Sequence, residues 1–105
     1  MWPNDADGDV FRRMQSSGFD FSNAHEIEFN VDFSAWPPAE EFLHALHAKF
    51  PRIRLYRPGE SFNGYVQFVV NAKLTYELVM ETQHTVSGLA SPYGGICESW
   101  GVMQD

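Results

Sequence analysis

Cysteine is almost absent from this sequence: Cys97 is the only one in 105 residues, so no internal disulfide can form. A reducing compartment is the simplest setting for such a chain. Cations are also scarce, with seven Lys and Arg against fourteen Asp and Glu, a formal charge of −7. That balance argues against non-specific binding to nucleic acid or an anionic membrane, both of which are driven by cationic side chains. No apolar run approaches the roughly 20 residues of a membrane span. The opening Met1-Trp2-Pro3-Asn4-Asp5 lacks the basic segment and apolar run of a secretory signal, so the expected location is cytoplasmic. Repeats, flexible linkers and low-complexity segments are missing as well. Aromatic residues, by contrast, are plentiful at 15%, nine of them Phe, within a 44% hydrophobic composition. Residues 1–105 therefore read as one domain with a real core, needing no metal or disulfide.

The clearest local pattern is His25-Glu26-Ile27-Glu28-Phe29-Asn30-Val31-Asp32-Phe33, which alternates polar and apolar without a break. Strand side chains point to opposite faces with period two, so Ile27, Phe29, Val31 and Phe33 go to a core. Glu26, Glu28, Asn30 and Asp32 form a row on the other side. A strand so divided implies a sheet covered on one face and open on the other.

Around this strand, 25–33, the other elements follow from capping and periodicity. Asn4 or Asp5 caps a first helix carrying Val10, Phe11 and Met14, which Gly18 ends. Trp36-Pro37-Pro38 breaks the strand, and 38–50 reads as a helix with Phe42, Leu43, Leu46 and Phe50 at helical spacing. Pro51 stops it. A strand at 52–57 places Ile53 and Leu55 on one face and Arg52, Arg54 and Tyr56 on the other. Arg57-Pro58-Gly59-Glu60-Ser61 is a turn by composition. A strand at 64–71 sets Val66, Phe68 and Val70 against Tyr65, Gln67 and Val69. The longest helix begins at Asn71 or Ala72 and runs to about 90, Pro92-Tyr93-Gly94-Gly95 ends it, and a last strand covers 96–102. After the first helix the order is β-α-β-β-α-β, the ferredoxin-like α+β sandwich, for which right-handed crossovers give an antiparallel sheet of order 4-1-3-2. The extra N-terminal helix packs either at an edge or against the helical layer.

Three segments resemble the regulator of ribonuclease E activity B (RraB) family. They are Asp9-Val10-Phe11-Arg12-Arg13-Met14 running into Gly18-Phe19-Asp20-Phe21, the strand opening His25-Glu26-Ile27-Glu28-Phe29, and the close Tyr93-Gly94-Gly95-Ile96-Cys97-Glu98-Ser99-Trp100-Gly101. The resemblance covers essentially the full length. It implies a ferredoxin-like α/β sandwich and a non-enzymatic regulator that binds ribonuclease E and inhibits RNA cleavage. One departure is that members resembling the founding inhibitor carry a long acidic C-terminal tail. This sequence ends at Asp105, and its acidity lies in the body of the domain.

The row Glu26, Glu28 and Asp32 is either ordinary solvated sheet or a docking surface for a basic protein segment. The choice depends on whether Arg52 and Arg54, about 10 Å away across two strand spacings, lean over to neutralise it. Tyr65 and Trp100 are the aromatic anchors expected on the same face. Ile96, Glu98, Trp100 and Val102 share one parity of the last strand, while Cys97, Ser99 and Gly101 are small enough to sit beneath a helix. That places Trp100 on the open face, with burial in the core as the alternative.

An open sheet bearing aromatics also resembles RNA-binding sheets, but carboxylates stand where phosphates would need cations, so no direct nucleic-acid contact is expected. His44 and His47 are spaced for one metal, yet His25, His84 and Cys97 lie on other elements, and no metal or cofactor is expected. Asp5-Ala6-Asp7-Gly8-Asp9 fails the calcium-loop pattern, because position 6 is Val10 and position 12 is Ser16. There is no nucleophile elbow or phosphate loop, and Cys97 reads as a small buried thiol, so an enzyme is not expected. The expected partner is a protein with a basic surface, ribonuclease E or another RNA-degradation component. The alternatives are a generic protein-interaction domain of the same fold, or a small-molecule-binding domain. Exposed sheet edges also allow a homodimer.

Overall fold

The structure is a computed structural model and describes residues 2–103. Helix α1, Ala6–Ser16, is capped by Asp5, whose carboxylate accepts the Gly8 N–H at 2.7 Å. It ends where Gly18 adopts φ 82°. There the Gly18 N–H bonds the Gln15 carbonyl and the Phe19 N–H bonds the Met14 carbonyl, the paired closure that a left-handed glycine permits.

Strand β1, Ala24–Phe33, alternates as its sequence does, with Ile27, Phe29, Val31 and Phe33 buried. Helix α2, Glu40–Lys49, buries Phe42 and Leu46. Strands β2, Ile53–Tyr56, and β3, Tyr65–Lys73, form a hairpin, and helix α3, Tyr76–Ala90, leads through a 3-10 turn, Ser91–Tyr93, into β4, Gly95–Val102. The four-stranded sheet has the order β2-β3-β1-β4, with every pairing antiparallel. This is the expected 4-1-3-2 order, in an α+β sandwich. α1 joins the helical layer: the Asp5 carboxylate accepts the Tyr76 hydroxyl at 2.6 Å, and Gln83 donates to Asp7 at 3.3 Å.

The core lies between sheet and helices. Phe29 faces Phe68 across β1 and β3 with ring centroids 5.3 Å apart, and Phe50 closes over Phe68 at 4.3 Å. Phe11 of α1 is fully buried, and the rings of Trp2, Phe21, Tyr76 and Trp100 surround it. Burying such a ring contributes about 2–3 kcal/mol, so α1 is bound into the fold rather than appended to it.

One boundary and one face differ from the sequence expectation. α3 begins at Tyr76, not at 71 or 72, because β3 keeps pairing with β1 as far as Lys73 opposite Ala24. Thr75 then caps the helix by accepting the Leu78 N–H at 3.1 Å. Leu55 pairs with Val66 on the core side yet is 48% exposed, since it stands on the short edge strand. The differing face, that of Trp100, bears on the site.

Candidate functional site

No described helix packs on the second face of the sheet, and its residues are ordered in rungs by the strand register. Asp32 lies between Tyr65 of β3 and Ile96 of β4, and Tyr56 of β2 extends that rung beyond Tyr65. Asn30 lies between Gln67 and Ser99, with Arg54 outside Gln67. Glu28 lies between Val69 and Gly101, and Glu26 lies beside Asn71. The alternating sequence of β1 thus sets Glu26, Glu28 and Asp32 in one row down the middle of the face. Tyr65 is on this face too, its ring stacked on Tyr56 with centroids 4.6 Å apart and planes 12° from parallel.

Trp100 is not on this face. The register slips between Asn30 and Val31: Cys97 pairs with Val31, whereas Ser99 pairs with Asn30, which leaves Glu98 as the extra residue of a β-bulge. Beyond the bulge the parity of β4 inverts. Ser99 and Gly101 turn to the open face, and Trp100, opposite Phe29, turns to the helical side. There it packs on Phe11 and donates its indole N–H to Asp7 at 2.9 Å. Ile96 precedes the bulge and stays on the open face, 48% exposed.

The charges on the face are unevenly compensated. Arg52 reaches across β3 to form an ion pair with Glu26. Among the described residues, Glu28, Asp32 and Glu98 form no ion pair. Inside Arg54, the middle rung is uncharged and knitted together. Tyr56 donates to the Gln67 side-chain oxygen at 3.5 Å, Gln67 donates to Asn30 at 3.2 Å, and Asn30 donates to Ser99 at 3.1 Å. That chain spans all four strands and fixes the polar surface between the Glu26 end and the Asp32 end.

At the Asp32 end the face opens into a shallow cleft of about 630 Å³, walled by Asp32, Tyr65, Ile96 and Glu98 and by Phe62 from the β2–β3 loop. Phe62 is 53% exposed. Its carbonyl accepts the Gly59 N–H at 3.1 Å, and its ring lies so close over Gly59 that a Cβ there would come within 2.4 Å of it. Sequence reasoning missed Phe62, because turn composition carries no information about facing. The glycine three residues earlier was the available signal. For Glu98 the sequence offers strand parity and nothing more.

The remaining candidates do not gather. His44 and His47 are exposed on α2, and no group of three or more metal-ligating side chains occurs among the described residues. Cys97 is buried beneath α3, and that burial, with Asp32 adding a smaller repulsion, pushes its thiol up to about 12. At neutral pH it is a protonated, inert thiol. No described helix is long and apolar enough to cross a membrane.

The family described as Regulator of ribonuclease activity B matches residues 4–102, nearly the whole chain. The chain belongs to that family, whose description is of a regulator rather than of a catalyst. No curated protein sequence matches it.

Proposed function

We propose that this member of the RraB family is a cytoplasmic, non-enzymatic regulatory domain that binds a ribonuclease E-like protein and slows its cleavage of RNA. The reading rests on one observation above the others. The sheet face left uncovered by helices carries carboxylates, Glu28 and Asp32, that no cation of the described chain neutralises. Unpaired charge on a fixed sheet steers a partner of opposite sign and fixes its register. Tyr65, held flat against Tyr56, supplies an aromatic anchor beside that charge. Binding here would act by occupying the ribonuclease's basic surface.

The direct test measures cleavage of a labelled single-stranded RNA by purified ribonuclease E, with the full chain added in increasing ratio. Slower cleavage that saturates near equimolar addition is the expected result. The double reversal Glu28→Lys/Asp32→Lys should lose the effect while keeping its unfolding free energy within about 1 kcal/mol of the starting protein. A cleavage rate unaffected by the unaltered chain overturns the proposal.

A further inference from the structure

We infer that the cleft at the Asp32 end of the open face receives an arginine side chain from a basic protein segment. The inference deepens the binding reading above and rests on it for the partner's being a protein. Its grounds are the shape and chemistry of the cleft. Asp32 stands at the centre of a rung between Tyr65 and Ile96, and Glu98, two residues after Ile96 on β4, lines the same cleft. Two carboxylates that form no ion pair among the described residues therefore meet three apolar groups, of which Phe62 and Ile96 are 53% and 48% exposed. A bare acidic patch would suit any cation. Walls of this kind discriminate, because a guanidinium is planar, weakly hydrated and able to stack on a ring while its edge donates to carboxylates. A lysine ammonium is compact and strongly hydrated and loses more on entering such a site.

The cleft is also set in advance. Tyr65 is stacked on Tyr56, and Phe62 is seated on Gly59. Binding there would order few side chains, which favours affinity. A second copy of this chain is a poor occupant. The formal charge of −7 makes two copies repel, and the cation nearest the acidic row, Arg52, is already engaged by Glu26.

The experiment uses the full chain and a fluorescein-labelled peptide with three Arg-Gly-Gly repeats, followed by anisotropy at 150 mM NaCl. Peptides with Lys or Glu in place of Arg serve as comparisons. The Arg peptide should bind at least about fivefold tighter than the Lys peptide, and the Glu peptide should not bind. Asp32→Asn/Glu98→Gln and, separately, Phe62→Ala should each weaken the Arg peptide at least about fivefold. Glu40→Gln/Glu41→Gln removes the same charge from α2 and should change binding less than about twofold.

Equal weakening by both charge-removing pairs would mean a general field effect and overturn the inference, as would equal affinity for the Lys and Arg peptides. Sedimentation at twice the chain mass, abolished by Phe62→Ala, would identify a second copy as the occupant and also overturn it. The two readings fail separately. Ribonuclease E slowed by the chain without Arg-peptide binding removes the cleft alone. Arg-peptide binding without any effect on cleavage removes the regulatory reading and leaves the cleft.

Discussion

Trp100 donates its indole N–H to Asp7 Oδ1 at 2.9 Å, and its ring centroid lies 5.4 Å from that of Phe11. The last strand is thereby fastened to the first helix, over 93 positions of sequence. The bulge at Glu98 makes this geometry available, because without it Trp100 would face the opposite side of the sheet.

Trp100→Phe should keep the ring and lose the hydrogen bond, at a cost of about 1 kcal/mol in urea unfolding. Trp100→Ala also removes packing against Phe11 and should cost about 3 kcal/mol, near the lower limit for a large aromatic because the side chain is only half-buried. Trp100→Phe should bind a basic partner as the starting protein does. A loss of binding with stability retained would put Trp100 back among the contact residues.

The Arg52–Glu26 pair bridges two strand spacings over Val69, with side chains 56% and 39% exposed. Exposed pairs contribute little, so Arg52→Ala should lower stability by less than about 1 kcal/mol. Its effect on association is larger, since the third carboxylate of the row is set free. Stopped-flow association with a basic peptide should speed up about two- to fivefold at 50 mM NaCl, and the gain should vanish by about 0.5 M as screening shortens to a few ångströms. An unchanged rate at low salt would mean that the row does not steer the partner.

The division of β1 into two faces was legible because period-two alternation over nine residues leaves a single strand reading, and the strand order with β1 central followed from the β-α-β-β-α-β succession and right-handed crossovers. The side of Trp100 was not. Parity counting assumes a regular strand, and one extra residue at Glu98 inverts everything after it. No residue type at that position announces a bulge. The start of α3 was misplaced for a related reason: Asn71-Ala72-Lys73 suits a helix start, but the ladder offered by Ala24, His25 and Glu26 keeps those residues extended. At the site, Asp32 and Tyr65 could be read from alternation, while Phe62 could not, since its position depends on a loop folding back over Gly59.

The Asp5–Tyr76 hydrogen bond makes stability depend on pH at both extremes. The Tyr76 hydroxyl, the Gly8 N–H and the Arg12 charge hold the Asp5 carboxyl below its ordinary 3.8. A depressed folded value contributes stability above about pH 3.8 that is lost as pH falls through the folded value. The same bond, with smaller effects from burial and neighbouring acids, raises Tyr76 from 10.0 to about 12. Its contribution is complete below pH 10 and lost as pH rises through about 12. Tyr76→Phe removes the bond at both ends. Thermal midpoints from pH 2 to 13 should show the variant less stable than the starting protein between these limits, with the two curves approaching each other toward both ends. Parallel curves throughout would show that the bond does not form in solution.

Ser87 closes the outer edge of the sheet. Its hydroxyl accepts the Cys97 N–H at 2.9 Å and donates to the Cys97 carbonyl at 3.2 Å, the two groups that β4 turns away from β1. An edge strand with free backbone groups is a template for another chain, and this side chain occupies both groups at the middle of β4. Ser87→Ala should therefore act in two ways. It leaves a donor and an acceptor unmet, costing about 1–2 kcal/mol in unfolding. It also frees the edge for pairing, so light scattering at high concentration should detect larger species than the starting protein forms. Cys97 reports on the same place, because a buried thiol raised to about 12 is overwhelmingly protonated at pH 8. If Ser87→Ala loosens the edge, Cys97 should react faster with a disulfide reagent in the folded protein. A variant that forms no larger species than the starting protein, with an equally slow thiol, would show that the bulge at Glu98 alone protects this edge.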